Sequence, residues 1–330
     1  MKRRDFITLI GGVAAWPLAA RAQPQADRMR LIGVLMGYAE NDLEARGWIK
    51  AFVQGLKALD RVEGNNIRIE YRWATGDIEQ MRSDAFDLVG LRPDVILSGS
   101  TPALTAVTRE SRSVPIVFVN VADPVDQGFV SSLARPGGNV TGFTSLEFSM
   151  GGKWIEALKE ISPSLARAVI IFNPPTAPYF ASFMRSVEPT ASSLAVRLVL
   201  APVHDAADIE RAIGVAKNET NAGLVVVPSA FTTIHRDLII GLAARHRLPS
   251  VYGFSYYAAS GGLIAYGIDV RDMYARVARY VDRILKGENP SDLPIQAPTK
   301  FELVINLKTA KAIGLEVPPM LLARVDEVIE

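Results

Sequence analysis

Short apolar runs alternate with helix-period segments along most of this chain, and that alternation is the strongest constraint on its fold. Arg30–Met36 (RLIGVLM), Asp94–Ser98 (DVILS), Val114–Val119 (VPIVFV), Arg167–Phe172 (RAVIIF) and Gly223–Val227 (GLVVV) are nearly continuous apolar runs. Strands of that composition are buried on both faces, as in parallel sheets. Between them, Asp42–Leu59 sets Trp48, Phe52, Leu56 and Leu59 at helical spacing, whereas Asn66–Trp73 alternates Ile67, Ile69, Tyr71 and Trp73 with the period of a strand. Further helices are predicted from Asp77 to about Gly90, from Thr101-Pro102, over 149–161, over 178–194, from Asp205 to about Lys217, over 233–246 and over 271–286, where Gly287 is a stop. Shorter strands fit Val196–Leu200, Ser250–Tyr252 and Leu263–Tyr266. The tail carries Pro290, Pro294, Pro298, Pro318 and Pro319, which predicts irregular chain with one short helix near 308–313.

Strand–helix alternation at this spacing means parallel sheets covered by helices. Arg135-Pro136-Gly137-Gly138-Asn139 is a clear break, and the alternation resumes after it. Two such runs, divided near residue 143, predict two doubly wound α/β domains. The length of 330 residues and the 49% hydrophobic, 22% charged composition suit two globular domains. A formal charge of +1 gives no basic excess for nucleic acid or a membrane surface. With no cysteine, disulfides, thiolate metal sites and a cysteine nucleophile are excluded. The three histidines do not make a metal centre: His235 and His246 sit among Arg236, Asp237, Arg245 and Arg247, which reads as surface.

Residues 1–22 read as a secretory signal peptide. Lys2-Arg3-Arg4 precede fifteen uncharged residues, Phe6–Ala20, and Ala20-Arg21-Ala22 is an A-x-A cleavage pattern. The arginine pair followed by Asp5-Phe6 is similar to a twin-arginine export signal. The apolar run is too short for a spanning helix. The expected location is the periplasm. Lys2, Arg3, Arg4 and Arg21 against Asp5 remove a net +3, so residues 23–330 carry −2.

In open parallel sheets, ligands bind beyond the carboxyl ends of the strands. That rule selects Tyr38, Ser100 with Thr101, Asn120 and Asp123 in the first half, and Asn173, Tyr179, Ser229, Tyr252, Phe254 and Asp269 in the second. Ser100 and Thr101 can cap a helix and present hydroxyls and N–H groups to an anion. Asp123 precedes Pro124 in a turn, and Asp269 precedes a helix, so each is either a cap or a ligand contact. Tyr179, Tyr252 and Phe254 can sandwich a planar ligand or simply fill core. No G-x-S-x-G elbow, Walker A loop or H-E-x-x-H helix is present, so no catalytic pattern emerges.

Taken in order, the motifs Ser100-Thr101-Pro102-Ala103, Val121-Ala122-Asp123-Pro124-Val125, Gly128-Phe129-Val130, Arg135-Pro136-Gly137-Gly138-Asn139-Val140-Thr141-Gly142, Phe172-Asn173-Pro174, Tyr266-Gly267-Ile268-Asp269, Ile284-Leu285-Lys286-Gly287 and Leu303-Val304-Ile305-Asn306 are distinctive. With them the chain resembles, over about 30–318, the ABC-transporter substrate-binding proteins of the family that includes tryptophan- and tyrosine-binding receptors. The resemblance implies a type I periplasmic-binding fold: two doubly wound parallel-sheet lobes joined by a hinge. It places one lobe at 27–143 plus about 268–290, the other at 144–267 plus about 291–330. It also turns ten of the strand-end residues named above, all but Tyr179, toward the interlobe cleft.

The amino-acid-binding members carry a polar or acidic Asp-Asn-Thr-like stretch where this chain has Ser229-Ala230-Phe231-Thr232. A buried ammonium without a carboxylate is costly, so an aromatic or carboxylated organic compound is expected as readily as an amino acid. The implied protein is a monomeric periplasmic receptor, not an enzyme. It uses no metal or cofactor, binds no nucleic acid, and delivers its solute to ABC permease subunits. A sensor feeding a membrane receptor, and an exported hydrolase using Asp123 and Asp269, are the alternatives.

Overall fold

The computed structural model describes residues 28–330; the signal-peptide segment lies outside the described residues. The first sheet contains five parallel strands, β1 (Arg30–Met36), β2 (Ile67–Trp73), β3 (Val95–Ser98), β4 (Ile116–Val121) and β5 (Val140–Thr144), in the order β2-β1-β3-β4-β5. β3 is buried throughout, as its apolar run requires, and so is β5, where the buried Thr141 hydroxyl is satisfied by donating to the Leu293 carbonyl at 2.7 Å. Helices α2 (Ile78–Gly90) and α3 (Thr101–Glu110) pack together beside the sheet, and α1 (Leu43–Lys57) packs on a helix that arrives from much later in the chain. Ala45, Trp48, Phe52 and Leu56 form the buried stripe of α1, and Asp42 caps it by accepting a hydrogen bond from the Ala45 N–H.

After β5 the chain crosses to a second sheet through α4 (Ser149–Ile161), β6 (Arg167–Phe172), α5 (Phe180–Ser193), β7 (Arg197–Pro202), α6 (Ala206–Asn218), β8 (Ala222–Val226), α7 (Ala230–Ile234), α8 (Arg236–Arg245), β9 (Ser250–Phe254), α9 (Ser255–Ala259) and β10 (Ile264–Ile268). Then α10 (Val270–Leu285) returns and lies on α1, β3, β4 and β5. The chain crosses a third time beside β5, where Thr144 N–H donates to the Gln296 carbonyl and Gln296 N–H donates to the Gly142 carbonyl. It ends in the second sheet with β11 (Glu302–Asn306), α11 (Leu307–Ile313), α12 (Pro319–Leu322) and β12 (Glu327–Ile329). The seven-stranded order is β12-β11-β10-β9-β8-β6-β7, with β11 alone running antiparallel to its neighbour β10. Two α/β lobes therefore share one chain that passes between them three times.

Three elements differ from the sequence reading. The tail is not largely irregular: its prolines flank Glu302–Asn306 rather than interrupt it, and Leu303, Val304 and Ile305 are buried in the sheet. The helix expected over 233–246 is two helices that break at His235. There Ser229 and Thr232 form a reciprocal capping box that starts α7 before the predicted boundary. His235 is also not a plain surface residue: it is half-buried, with its ring 4.4 Å from Phe231, and burial pushes its pKa down. The short helix α9 had no expectation at all.

Candidate functional site

The carboxyl ends of both sheets face each other across a cleft. Tyr38 follows β1 and is buried; its hydroxyl accepts a hydrogen bond from Asn120 Nδ2 at 2.9 Å. Asn120 reaches that point because β4 carries a bulge. Val119 pairs with Phe143 and Val121 with Thr144, leaving Asn120 as the extra residue at φ +58°. Asparagine tolerates that left-handed backbone better than most residues. Ser100 caps α3 by accepting from the Ala103 N–H at 3.3 Å, with Thr101 buried beside it.

The opposite wall is built by the second lobe. Ser229 begins α7 within its capping box, its Oγ accepting from Thr232 N–H at 3.2 Å. Tyr179 precedes α5, donates its hydroxyl to the Pro228 carbonyl, and stacks on Phe148 with centroids 6.0 Å apart. Phe254 ends β9 and stacks on Tyr256 at 5.5 Å. Burial pushes the Tyr38 and Tyr179 hydroxyls far above the ordinary phenol range, so both stay neutral.

Tyr38, Ser100, Thr101, Asn120, Tyr179, Ser229 and Phe254 thus line one cleft. Pro102, Ala122, Ser145, Thr176, Pro228 and Ala230 complete it, and none of these side chains is charged. The cavity they enclose is only about 20 Å³. That is room for about one water. The lobes are drawn together around it: Trp48 of the first lobe packs on Tyr256 of the second with centroids 5.7 Å apart, and Arg236 pairs with Asp42.

Four of the expected cleft residues sit elsewhere. Asn173 is buried and holds its own loop: its amide donates to the Val203 carbonyl, and its Oδ1 accepts from Thr176 N–H and from the Thr176 hydroxyl at 2.6 Å. It positions Thr176, which lines the cleft. Tyr252 lies inside the second lobe, stacked on Tyr257 at 4.8 Å: it shares a face of β9 with Phe254 but sits two residues short of the strand's carboxyl end. Asp123 stands in the turn after β4 at φ +49°, outside the lining, with Ser182 and Arg185 of α5 facing it. Burial first, and the Asp126 charge second, raise its pKa. Asp269 caps α10, accepting from Arg271 N–H at 2.8 Å and Asp272 N–H at 3.2 Å, and borders the hinge.

The residues that the sequence reading missed carry weak local signals. Thr176 could be found as the hydroxyl that closes the Asn173-Pro174 turn. Tyr256 lies two positions beyond Phe254. Arg236 and Asp42 are 194 positions apart, and nothing local joins them. Among the described residues no group of acidic and histidine side chains could hold a metal, and no helix is long and apolar enough to cross a membrane.

Two lobes, three crossings and an uncharged polar–aromatic cleft define a solute-binding protein. A family model described as ABC transporter substrate binding protein matches residues 44–329, and the chain belongs to that family. It is a family of binding proteins, not of enzymes. The chain is 26% identical over 268 residues to a tyrosine-binding protein of Clostridioides difficile, covering 81% of this chain and 76% of that one. Among solved structures it is similar to a conserved domain protein of Vibrio cholerae, with TM-score 0.84, 27% identity and coverage of 91% and 100%. It is equally similar in shape to the ABC domain in complex with L-Trp from Streptococcus pneumonia, with TM-score 0.84, 20% identity and coverage of 92% and 100%. These likenesses carry the type I periplasmic-binding fold.

Proposed function

We propose that this chain is an exported receptor that closes on a small aromatic compound bearing a carboxylate, and delivers it to the permease subunits of an ABC importer. The observation that carries this reading is the cleft lining: rings and neutral hydrogen-bonding groups from both lobes, with no charged side chain. The relative named for tyrosine and the structure holding L-Trp support a ring-bearing solute. Residues 1–22 support export, the arginine pair the twin-arginine route.

The first lobe is assigned residues 27–143 and about 268–290, the second 144–267 and about 291–330. Solute would meet Tyr38, Ser100, Thr101 and Asn120 on the first lobe. Rotation about the three crossings would bring Tyr179, Ser229 and Phe254 down on it and desolvate it. Ring burial would supply about 25 cal/mol per Å². A carboxylate finds hydroxyl and amide donors there and the N-terminal end of α3. A lone ammonium finds no carboxylate in the lining, and burying it unpaired is costly.

A thermal-shift screen on residues 23–330 tests this. It compares tyrosine and tryptophan with their deaminated acids, 4-hydroxyphenylpropanoate and indolepropanoate, alongside sugars, dicarboxylates and nucleobases. The deaminated acids are expected to raise the midpoint at least as much as the amino acids, and to be recovered unchanged. A shift with the amino acids alone would overturn the carboxylate-only reading. A shift with sugars alone would overturn the aromatic one.

A further inference from the structure

A second cavity opens where the chain passes three times between the lobes. The first crossing supplies Phe143 and Thr144, the second Ile268 and Asp269, the third the stretch 296–300, and α10 adds Met273 and Arg276. The cavity measures about 290 Å³, against about 20 Å³ in the cleft, and the two share no lining residue. That is at the lower edge of the size range of small-molecule sites, enough for a compact molecule.

The floor is apolar: Phe143, Ile268 and Met273 are all but fully buried. The rim bears both signs, Asp269 and Asp272 against Arg276 and Lys300. Their pairing is incomplete. Arg276 Nη1 stands 3.5 Å from Asp272 Oδ2, with its guanidinium 5.6 Å above the Phe143 ring. Lys300 turns to Glu302, outside the cavity. Asp269 Oδ1 receives both capping N–H groups, while Oδ2 carries no hydrogen bond among the described residues.

We propose that this hinge cavity is a second ligand site, for a small zwitterion with an apolar tail. Its carboxylate would meet Arg276, its ammonium Asp269, and its tail the Phe143–Ile268–Met273 floor. An anion or a cation alone would satisfy one sign of the rim and oppose the other. The proposal is independent of what the cleft holds.

Titration calorimetry on residues 23–330 tests it with L-leucine and with its two isosteres, 4-methylpentanoate, which lacks the ammonium, and 3-methylbutylamine, which lacks the carboxylate. L-leucine is expected to bind, each isostere about tenfold or more weaker, since a charge-assisted hydrogen bond is worth roughly one such factor. Ala297→Trp, at an exposed wall position, fills the cavity and is expected to abolish leucine binding, and Arg276→Ala to weaken it about tenfold. Ser229→Phe blocks the cleft and is expected to leave leucine binding unchanged. No leucine binding by the wild-type chain, or wild-type binding by an Ala297→Trp variant with native circular dichroism, would overturn the proposal. Loss in Ser229→Phe alone, with native circular dichroism retained despite the altered α7 cap, would place leucine in the cleft and also overturn it. The cleft reading stands or falls separately, on the aromatic acids and on whether Ser229→Phe loses them.

Discussion

Asn120 does two things that are separable by mutation. Its amide supplies the partner of the buried Tyr38 hydroxyl, and its backbone sits at φ +58° in the β4 bulge. Asn120→Ala should lose both the hydrogen bond and the tolerance of a left-handed backbone, the latter worth about 1–2 kcal/mol. Asn120→Gly should lose only the hydrogen bond, because glycine adopts that backbone freely. The glycine variant is therefore expected to be the more stable of the two by about 1 kcal/mol in urea unfolding, although glycine normally destabilises a strand. Equal stabilities would mean that the bulge relaxes when the side chain is gone. The same residue shows what a sequence conveys at this scale. Its place after an apolar run marks it as a strand-end residue, but the register slip that turns its amide onto Tyr38 depends on the partner strand. Likewise Asp269 turns out to cap a helix, and Tyr252 lies mid-strand because β9 runs on to Phe254, and neither the cap nor that strand boundary is set by periodicity.

Among the elements, the contact between α1 and α10 fixes how the first lobe is completed by a distant part of the chain. Gly55 lets the helices approach closely: a Cβ there would stand 2.5 Å from the Ala275 carbonyl oxygen and 2.8 Å from Ala278 Cβ. Both neighbours are held by α10 and have nowhere to turn. Gly55→Ala is expected to cost about 1–3 kcal/mol by forcing the helices apart. Gly214, in the middle of α6, has nothing within 4 Å of its would-be Cβ, so Gly214→Ala should gain about 0.5–1 kcal/mol. Thermal unfolding of the two variants should therefore move in opposite directions, and a fall in both would show that α6 is constrained by something other than helix propensity. The strands and helices that were legible in the sequence are those whose burial follows from their own residues, such as the all-buried β3 and the one-sided α1. β11 was not, because its antiparallel place beside β10 depends on a chain return through a proline-rich segment. The break between α7 and α8 was not, because the capping box that starts α7 competes with a longer apolar periodicity.

For the whole molecule, the question is what holds the lobes together over the cleft. Asp42 and Arg236 come from different lobes, and their side chains are only 9% and 12% exposed. Arg236 Nη1 also donates to the Thr233 carbonyl at 3.0 Å, so the guanidinium is braced on its own lobe before it meets the carboxylate. Nearby, a Cβ on Gly76 of the first lobe would lie 2.8 Å from Ile234 Cδ1 of the second, so the surfaces are in close contact along this edge. Separating the lobes breaks the ion pair but returns both charges to water, so its net contribution to closure is modest. A shielded charge-assisted pair is worth about 1.5–3 kcal/mol, which corresponds to roughly a 10- to 150-fold change in the ratio of closed to open forms. Arg236→Gln removes the pair and leaves Asp42 shielded and unpaired in the closed form only. Asp42→Ser removes the other charge, leaving the guanidinium held by the Thr233 carbonyl, and keeps a good helix cap on α1. Both variants are expected to have a larger radius of gyration than the wild-type chain in small-angle scattering. Both should also bind the cleft solute more weakly, in proportion to the lost closed fraction. If scattering and affinity change in Arg236→Gln but not in Asp42→Ser, the unpaired carboxylate opens the lobes and the ion pair itself does not close them. If neither variant changes, closure rests on the Trp48–Tyr256 contact and the apolar edge, and Trp48→Ala becomes the variant expected to open the molecule.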